Sequence, residues 1–132
     1  RLGLLQLEDR LAPAVFPPLA VSLAGGGTDV RFYPSDPNES ISLTAYEQEF
    51  RGGARAALGD LTNDGVADFV TIAGYLGGPR VIVFDGVTGR PTTSFFAFDS
   101  SLRGGGYVAV GDVNADGQLD VIAGMGETNG AR

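Results

Sequence analysis

The sequence predicts an all-β protein, and three observations support that class. Glycine makes up 21 of the 132 residues, turn-forming residues recur throughout, and helix formers are scarce. Short apolar runs rich in β-branched residues, such as Phe69–Ala73, are bounded by glycine, which is typical of buried strands. Residues 45–80 and 97–132 align without a gap at a spacing of 52 residues, with 13 identities in 36 positions. A period near 50 residues indicates a repeat architecture.

Nine strands can be placed along the chain in three units. Residues 19–50 form a partial first unit, residues 51–102 a complete unit of four strands, and residues 103–132 a partial last unit. Each strand is an apolar or alternating run bounded by turn residues. The predicted strands are Leu19–Ala24, Asp29–Tyr33, Ile41–Tyr46, Ala54–Gly59, Asp68–Ala73, Arg80–Asp85, Thr92–Phe98, Gly106–Gly111 and Asp120–Met125. Four short antiparallel strands per copy predict β-propeller-type blades or a β array; of these we expect an incomplete propeller of about two blades.

Residues 1–18 are predicted to be a leader or linker segment. Leucine at positions 2, 5, 7 and 11 indicates at most a short amphipathic helix, which the prolines at 13, 17 and 18 would end. The run from Leu7 to Leu11, followed by Pro13, is similar to the LEDR-type segment found near the N termini of large exported bacterial repeat proteins.

Composition excludes several classes of function. The sequence contains no Cys, His, Lys or Trp, so thiol and imidazole nucleophiles, Schiff-base lysines and the usual zinc sites are excluded. The formal net charge of −7 disfavours nucleic acid or an anionic membrane as a partner. No stretch approaches the roughly 20 apolar residues of a membrane span.

Two nine-residue acidic loops carry the strongest functional signal. Both read D-x-[N/T]-x-D-G-x-x-D, with three carboxylates that repel one another unless a cation lies among them. Ca²⁺ takes six to eight oxygens, which alternate loop side chains and a backbone carbonyl at position 7 can largely supply. Gly65 and Gly117 permit the required turn. The alternative is a solvated Asp-rich turn. The predicted ligands of two Ca²⁺ ions are Asp60, Thr62, Asp64, Val66 and Asp68, and Asp112, Asn114, Asp116, Gln118 and Asp120.

The residue at position 12 argues against an EF-hand, which needs a bidentate Glu there and a following helix. Thr71 and Ala123 occupy that position, and each lies in an apolar β-branched run. The loops are therefore predicted to join two strands. In the first loop, Thr62 stands where the second has an amide, which predicts weaker binding at the first site.

The repeated motifs resemble a known family over about residues 19–132. The pattern R-G-G, the acidic loop and G-G-P-R-V-x-V-F-D-G-x-T-G are similar to FG-GAP/VCBS-type repeats, the blades of integrin-α-like β-propellers. This resemblance implies that each acidic loop joins the first two strands of a blade and binds Ca²⁺ through the ligands named above.

Together these features predict a non-enzymatic, calcium-stabilised extracellular or cell-surface module for adhesion or structural interaction. Extracellular modules bind Ca²⁺ with a Kd of roughly 10⁻⁴–10⁻³ M, too weak for the cytosol. One alternative is a subunit of an extracellular filament or surface array. Another is a propeller-type hydrolase or lyase, for which Glu47 and Glu49 on one strand face could serve as a carboxylate pair. A surface protein or a glycan is a possible ligand, and scattered tyrosines could line a glycan surface.

Assembly is expected from the repeat pattern. The first unit matches the last three strands of a blade, and the last unit matches the first two. Bare strands leave unpaired backbone groups at an edge. The expected partners are other copies of the chain, joined by strand or blade complementation, or downstream repeats of the same protein.

Overall fold

The computed structural model describes residues 17–22, 27–34 and 38–127. Within them the chain forms nine strands and no helix, which confirms the predicted all-β class. The predicted leader or linker over residues 1–18, with its LEDR-type segment, lies almost wholly outside the described residues. The strands are β1 Leu19–Ser22, β2 Asp29–Tyr33, β3 Ile41–Thr44, β4 Ala54–Gly59, β5 Asp68–Ala73, β6 Arg80–Phe84, β7 Pro91–Phe96, β8 Gly106–Gly111 and β9 Asp120–Met125.

The strands form three antiparallel sheets in which chain neighbours pair. Their orders are β1-β2-β3, β4-β5-β6-β7 and β8-β9. The middle sheet is the complete four-stranded unit that the sequence predicted, and the outer two contain three and two strands. In the described part of the chain the sheets do not close into a barrel, and they form an incomplete propeller-like stack.

Three strands differ from the sequence-based prediction at one or both ends. Strand β6 ends at Phe84 instead of Asp85, and β7 begins at Pro91 instead of Thr92. Strand β3 ends at Thr44 instead of Tyr46: the Ala45 amide still donates to the Thr28 carbonyl at 3.0 Å, and the chain bends at Tyr46. Strand β7 ends at Phe96 instead of Phe98, where the Ala97 amide donates to the carbonyl of Pro79 at 2.9 Å. Apolar residues continue past the ends of β3 and β7, so the bends that follow could not be predicted from the apolar pattern.

The first hydrophobic core lies between the first and middle sheets. Phe69 stacks on Phe32 of β2 with ring centroids 4.7 Å apart, and on Phe84 of β6 at 4.8 Å. Val30 and Ile82 are buried in the same cluster. Stacked aromatic rings join the two sheets across this interface.

A second core lies on the opposite face of the middle sheet. Val70, Ile72, Val81 and Val83 are buried there. The third sheet covers them with apolar side chains from β8 and β9, namely Val108, Val110, Val121 and Ala123. Strands β5 and β6 are therefore buried along almost their whole length between two neighbouring sheets, whereas every residue of β7 is exposed.

The glycines of the R-G-G motif allow close backbone packing where each unit begins. A Cβ on Gly52 would lie 1.8 Å from the Tyr75 carbonyl oxygen, and one on Gly74 would lie 2.1 Å from the Gly52 carbonyl oxygen. The next copy repeats the second arrangement, because a Cβ on Gly126 would lie 2.2 Å from the Gly104 carbonyl oxygen. Any side chain at these positions would push two backbone segments apart.

Candidate metal centre

The two acidic loops occupy equivalent places in successive sheets. The first joins β4 to β5 and the second joins β8 to β9. Both have left-handed backbone at positions 4 and 6, with φ of 58° at Asn63 and 85° at Gly65, and 61° at Ala115 and 86° at Gly117. Because the next residues form strands, the predicted strand–loop–strand arrangement is confirmed.

In the first loop, the carboxylate at position 1 organises the turn. Asp60 Oδ1 accepts from the Asp64 amide at 3.1 Å, and Asp60 Oδ2 accepts from the Gly65 amide at 2.8 Å. Asp64 Oδ1 in turn accepts from the Val66 amide at 2.9 Å. The carboxylates at positions 1 and 5 thus each accept from backbone amides within the loop.

The second loop repeats this pattern. Asp112 Oδ1 accepts from the Asp116 amide at 3.2 Å, and Asp112 Oδ2 accepts from the Gly117 amide at 2.9 Å. Asp116 Oδ1 accepts from the Gln118 amide at 2.8 Å. The second loop also uses position 3, since Asn114 Oδ1 accepts from the Asp116 amide at 3.1 Å. The two loops therefore share one conformation.

The carboxylates at position 9 differ between the loops. Asp68 is fully buried, and its Oδ2 accepts from the amides of Leu61 at 2.8 Å and Thr62 at 3.0 Å. Its Oδ1 accepts from the Gly86 amide at 2.9 Å. Asp120 is only half-buried, and its Oδ2 accepts from the Val113 amide at 3.1 Å. A carboxylate has about four lone-pair sites, so Asp68 has far less accepting capacity left.

The donor set of each loop fits a hard cation by its chemistry. Carboxylate, amide, hydroxyl and carbonyl oxygens are the groups that Ca²⁺ prefers. In this conformation, the carboxylates accept backbone N–H groups, and no group of three or more acidic side chains converges as a metal-holding cluster among the described residues. The loop carboxylates thus accept from backbone amides of the protein. Calcium binding by these residues stays a prediction.

The arginine of the R-G-G motif has a structural role that the sequence did not indicate. Arg103 Nη1 donates to the carbonyl oxygens of Ser100 at 2.6 Å and Leu102 at 2.8 Å. Arg51 donates to the carbonyls of the corresponding turn one repeat earlier. The recurrence of Arg at a spacing of 52 residues was the only signal available.

Two acidic residues outside the loops cap turns. Asp85 Oδ1 accepts from the amides of Val87 and Thr88, both at 2.8 Å, and the Thr88 bond is the main cause that lowers the pKa of Asp85. Asp99 accepts from the hydroxyl and amide of Ser101, and these bonds lower the pKa of Asp99. Both carboxylates therefore stabilise turns.

The suggestion of a carboxylate pair at Glu47 and Glu49 is wrong, because these residues do not lie on a strand. Strand β3 ends at Thr44, and the segment that follows is a turn. Glu47 instead approaches Arg80, with 3.5 Å between carboxylate oxygen and guanidinium nitrogen. This exposed ion pair contributes little to stability.

The segment that carries both acidic loops is similar in sequence to a known repeat family. Residues 60–123 match the FG-GAP-like repeat. This match covers a little under half of the chain, from the first residue of the first loop into β9. It supports an FG-GAP-type repeat at the place where the motifs predicted one, and it suggests a repeat module in general. No curated protein and no solved structure matches the chain.

In the described part of the chain, no helix is long and apolar enough to cross a bilayer.

Proposed function

We propose that this chain is a non-enzymatic, calcium-stabilised extracellular repeat module that serves cell-surface adhesion or structural interaction. The observation that carries the proposal is the equivalence of the two acidic loops. They share sequence pattern, left-handed positions and hydrogen bonds, and each joins the first two strands of a sheet. The recurrence of these features supports one shared role for the two loops, and their oxygen donors suit the binding of a hard cation.

The ten predicted ligands would hold two Ca²⁺ ions, five in each loop. A bound ion would neutralise the repulsion among three carboxylates and join the ends of two strands. Six of the sixteen acidic residues lie in the loops, so two ions would change the formal charge from −7 to −3. The acidity of the chain is thus largely explained by the sites themselves.

The extracellular setting and the lack of catalysis rest on separate arguments. Extracellular modules bind Ca²⁺ with a Kd of roughly 10⁻⁴–10⁻³ M, so sites of this kind are occupied at extracellular but not at cytosolic calcium concentrations. The chain lacks Cys, His and Lys, and Asp85 and Asp99 serve as turn caps. A surface protein or a glycan is the class of ligand that such a module would present or bind.

Isothermal titration with Ca²⁺ tests the proposal. Two ions should bind per chain, and Mg²⁺ should bind poorly because it demands tighter octahedral geometry. In the variant Asp64→Ala/Asp116→Ala, both sites should be lost while the fold is kept, since both side chains are exposed. The matched control is Asp85→Ala/Asp99→Ala, which removes two turn-capping acids outside the loops and should still bind two ions. Absence of Ca²⁺ binding by the parent chain would contradict the proposal.

A further inference from the structure

A cleft of about 290 Å³ lies at the end of the molecule opposite the acidic loops. One wall is the turn after β3, which carries Glu47 and Phe50, and the other contains Leu76 of the β5–β6 connection and Arg80, the first residue of β6. The acidic loops follow β4 and β8, so they lie at the other ends of the strands. Both walls belong to the described chain, between its first and middle units, and not to the outer faces of the end sheets.

Two glycines line the cleft and bring its aromatic rings close to the backbone. A Cβ on Gly77 would lie 2.7 Å from Phe50 Cζ, and a Cβ on Gly78 would lie 3.6 Å from Phe96 Cε1. Phe50 also packs edge-on against the ring of Tyr46, with centroids 6.3 Å apart. Phe96 remains 54% exposed. The cleft therefore offers an apolar surface made of phenyl rings and bare backbone.

Two arginines place positive charge in the lining. Arg103 uses Nη1 to hold the carbonyls of its turn, while its Nε and Nη2 have no hydrogen-bond partner among the described residues. Arg80 Nε donates to Ser94 Oγ at 3.0 Å, and its Nη1 lies 3.5 Å from a carboxylate oxygen of Glu47. Because exposed ion pairs contribute little, an incoming carboxylate can replace Glu47 at small cost. The lining thus carries two positive charges and one negative charge in a chain of net charge −7.

Leu76 is held in a strained backbone conformation beside the cleft. Its φ is 69°, a left-handed value that disfavours residues with a Cβ. Its side chain is 59% exposed, so core packing does not require leucine there. The conformation is fixed by bonds from the Leu76 amide to the Arg103 carbonyl at 2.9 Å and from the Gly105 amide to the Gly77 carbonyl at 3.2 Å. Backbone strain of this kind clusters at ligand-binding sites.

We infer that this cleft binds a short peptide segment of a partner protein that presents a carboxylate next to an apolar side chain. The apolar side chain would lie on Leu76, Phe50 and Phe96. The carboxylate would pair with the guanidinium groups of Arg80 and Arg103, whose planar forks suit carboxylate recognition. The inference rests on the interaction-module part of the proposed function, names the chemistry of its partner, and does not need the calcium ions.

The lining favours a peptide over an acidic sugar. A sugar ring needs several polar groups for its hydroxyls, and apart from the arginines the lining has only the side chains of Tyr46, Glu47 and Ser100. The Tyr46 hydroxyl already donates to the Arg80 carbonyl at 2.8 Å. An apolar side chain, by contrast, needs only the rings and the leucine that the cleft provides.

Small probes of matched shape test the cleft directly by ¹H–¹⁵N NMR titration of the parent chain. N-acetylphenylalanine carries a chain-end carboxylate, and N-acetylaspartylphenylalaninamide carries a side-chain carboxylate. At least one should shift the amides of Gly77 and Gly78 in a saturable way, with a Kd of about a millimolar for ligands of this size, and the better probe identifies the source of the carboxylate. Neutral N-acetylphenylalaninamide should bind about tenfold more weakly, and acetate should give no saturable shift.

Variants separate binding from folding. Leu76→Gly removes the apolar side chain and relieves the left-handed strain, so the Kd should rise several-fold while the melting temperature stays equal or rises. Arg80→Gln should raise the Kd about tenfold. The matched control is Arg90→Gln, which removes an exposed arginine in the β6–β7 connection and should leave the Kd unchanged.

Several outcomes would overturn the inference: no saturable shift at Gly77 and Gly78, equal affinity for charged and neutral probes, or binding of glucuronate in place of both peptide probes. An unchanged Kd in Leu76→Gly and in Arg80→Gln would overturn it as well. The titrations are run in calcium and in chelator, and melting curves of the same samples report the metal sites. Failure of the cleft is thereby distinguished from failure of the calcium-stabilised module.

Discussion

Asp68 and Gly86 are joined by a 2.9 Å hydrogen bond from the Gly86 amide to Asp68 Oδ1, which ties the first acidic loop to the turn between β6 and β7. The other oxygen of Asp68 accepts from Leu61 and Thr62 inside the loop. One buried carboxylate therefore holds three backbone amides from two separate segments. At the same position of the second loop, Asp120 accepts only from the Val113 amide among the described residues. The two loops thus share one sequence pattern but differ in the number of backbone amides that donate to the carboxylate at position 9.

Replacement of Asp68 should destabilise the fold with or without calcium. Asp68→Asn removes the charge and exchanges an accepting oxygen for an NH₂ group, leaving at least one buried backbone amide unpaired. We expect the free energy of unfolding to fall by about 2–4 kcal/mol, since each unsatisfied buried group costs about 1–3 kcal/mol. Asp120→Asn should cost about 1 kcal/mol or less. Urea unfolding in a chelator measures both, and equal losses would contradict the structural role of Asp68.

The second site should bind Ca²⁺ more tightly than the first. Asn114 offers an amide oxygen, whereas Thr62 offers a shorter hydroxyl, and Asp68 has little capacity left for an ion. Asp64→Ala leaves the second site and Asp116→Ala leaves the first. Calorimetric titration should show that Asp64→Ala, which keeps the second site, binds Ca²⁺ with a Kd about tenfold lower than that of Asp116→Ala. This difference equals about 1.4 kcal/mol in binding free energy. The reverse order would refute this ranking.

The close contact between Gly74 and Gly52 should make Gly74→Ala strongly destabilising. The new Cβ would lie 2.1 Å from the carbonyl oxygen of Gly52, which can move only if the backbone that leads into β4 moves with it. Overpacking of this kind costs about 1–3 kcal/mol. The control is Gly78→Ala, whose nearest neighbours lie at 3.4 Å and include the flexible Arg103 guanidinium. Its effect should stay within about 0.5 kcal/mol in thermal unfolding.

Tyr46 should make the fold sensitive to alkali. Burial raises the pKa of its hydroxyl, which donates to the Arg80 carbonyl at 2.8 Å and lies 3.2 Å from Thr71 Oγ1. Because the folded pKa lies above the ordinary value of 10.0, the stabilisation is present at lower pH and is lost as pH rises beyond that value. Tyr46→Phe should cost about 1–2 kcal/mol at neutral pH and should flatten the alkaline decline. An unchanged alkaline profile would contradict this role.

Most strands could be predicted from the sequence because glycine and alternation mark their ends. Five strands have the predicted bounds: β2, β4, β5, β8 and β9. The repeat also predicted that both acidic loops would join the first two strands of their units. Each of these features depends on local backbone preference and side-chain period, which a sequence displays directly.

The rest of the site depends on contacts between distant segments. Nothing in the sequence indicates that Asp68 reaches Gly86, because the bond requires the β5–β6 pairing that brings the two turns together. The pattern likewise presents the position-9 aspartates as equivalent, although only Asp68 is fully buried. Such differences arise from packing between distant segments. The structure is therefore needed to see that the position-9 carboxylates of the two loops accept different numbers of backbone amides.

Thermal unfolding of the parent chain in calcium and in chelator tests the central claim most directly. If the two loops bind Ca²⁺ in the native state alone, stabilisation follows mass action and reaches about 1.4 kcal/mol per site at ten times the Kd. The melting temperature should therefore rise by several degrees in millimolar Ca²⁺, and the variant Asp64→Ala/Asp116→Ala should show no rise. An identical melting temperature of the parent chain in calcium and in chelator would contradict a calcium-stabilised module.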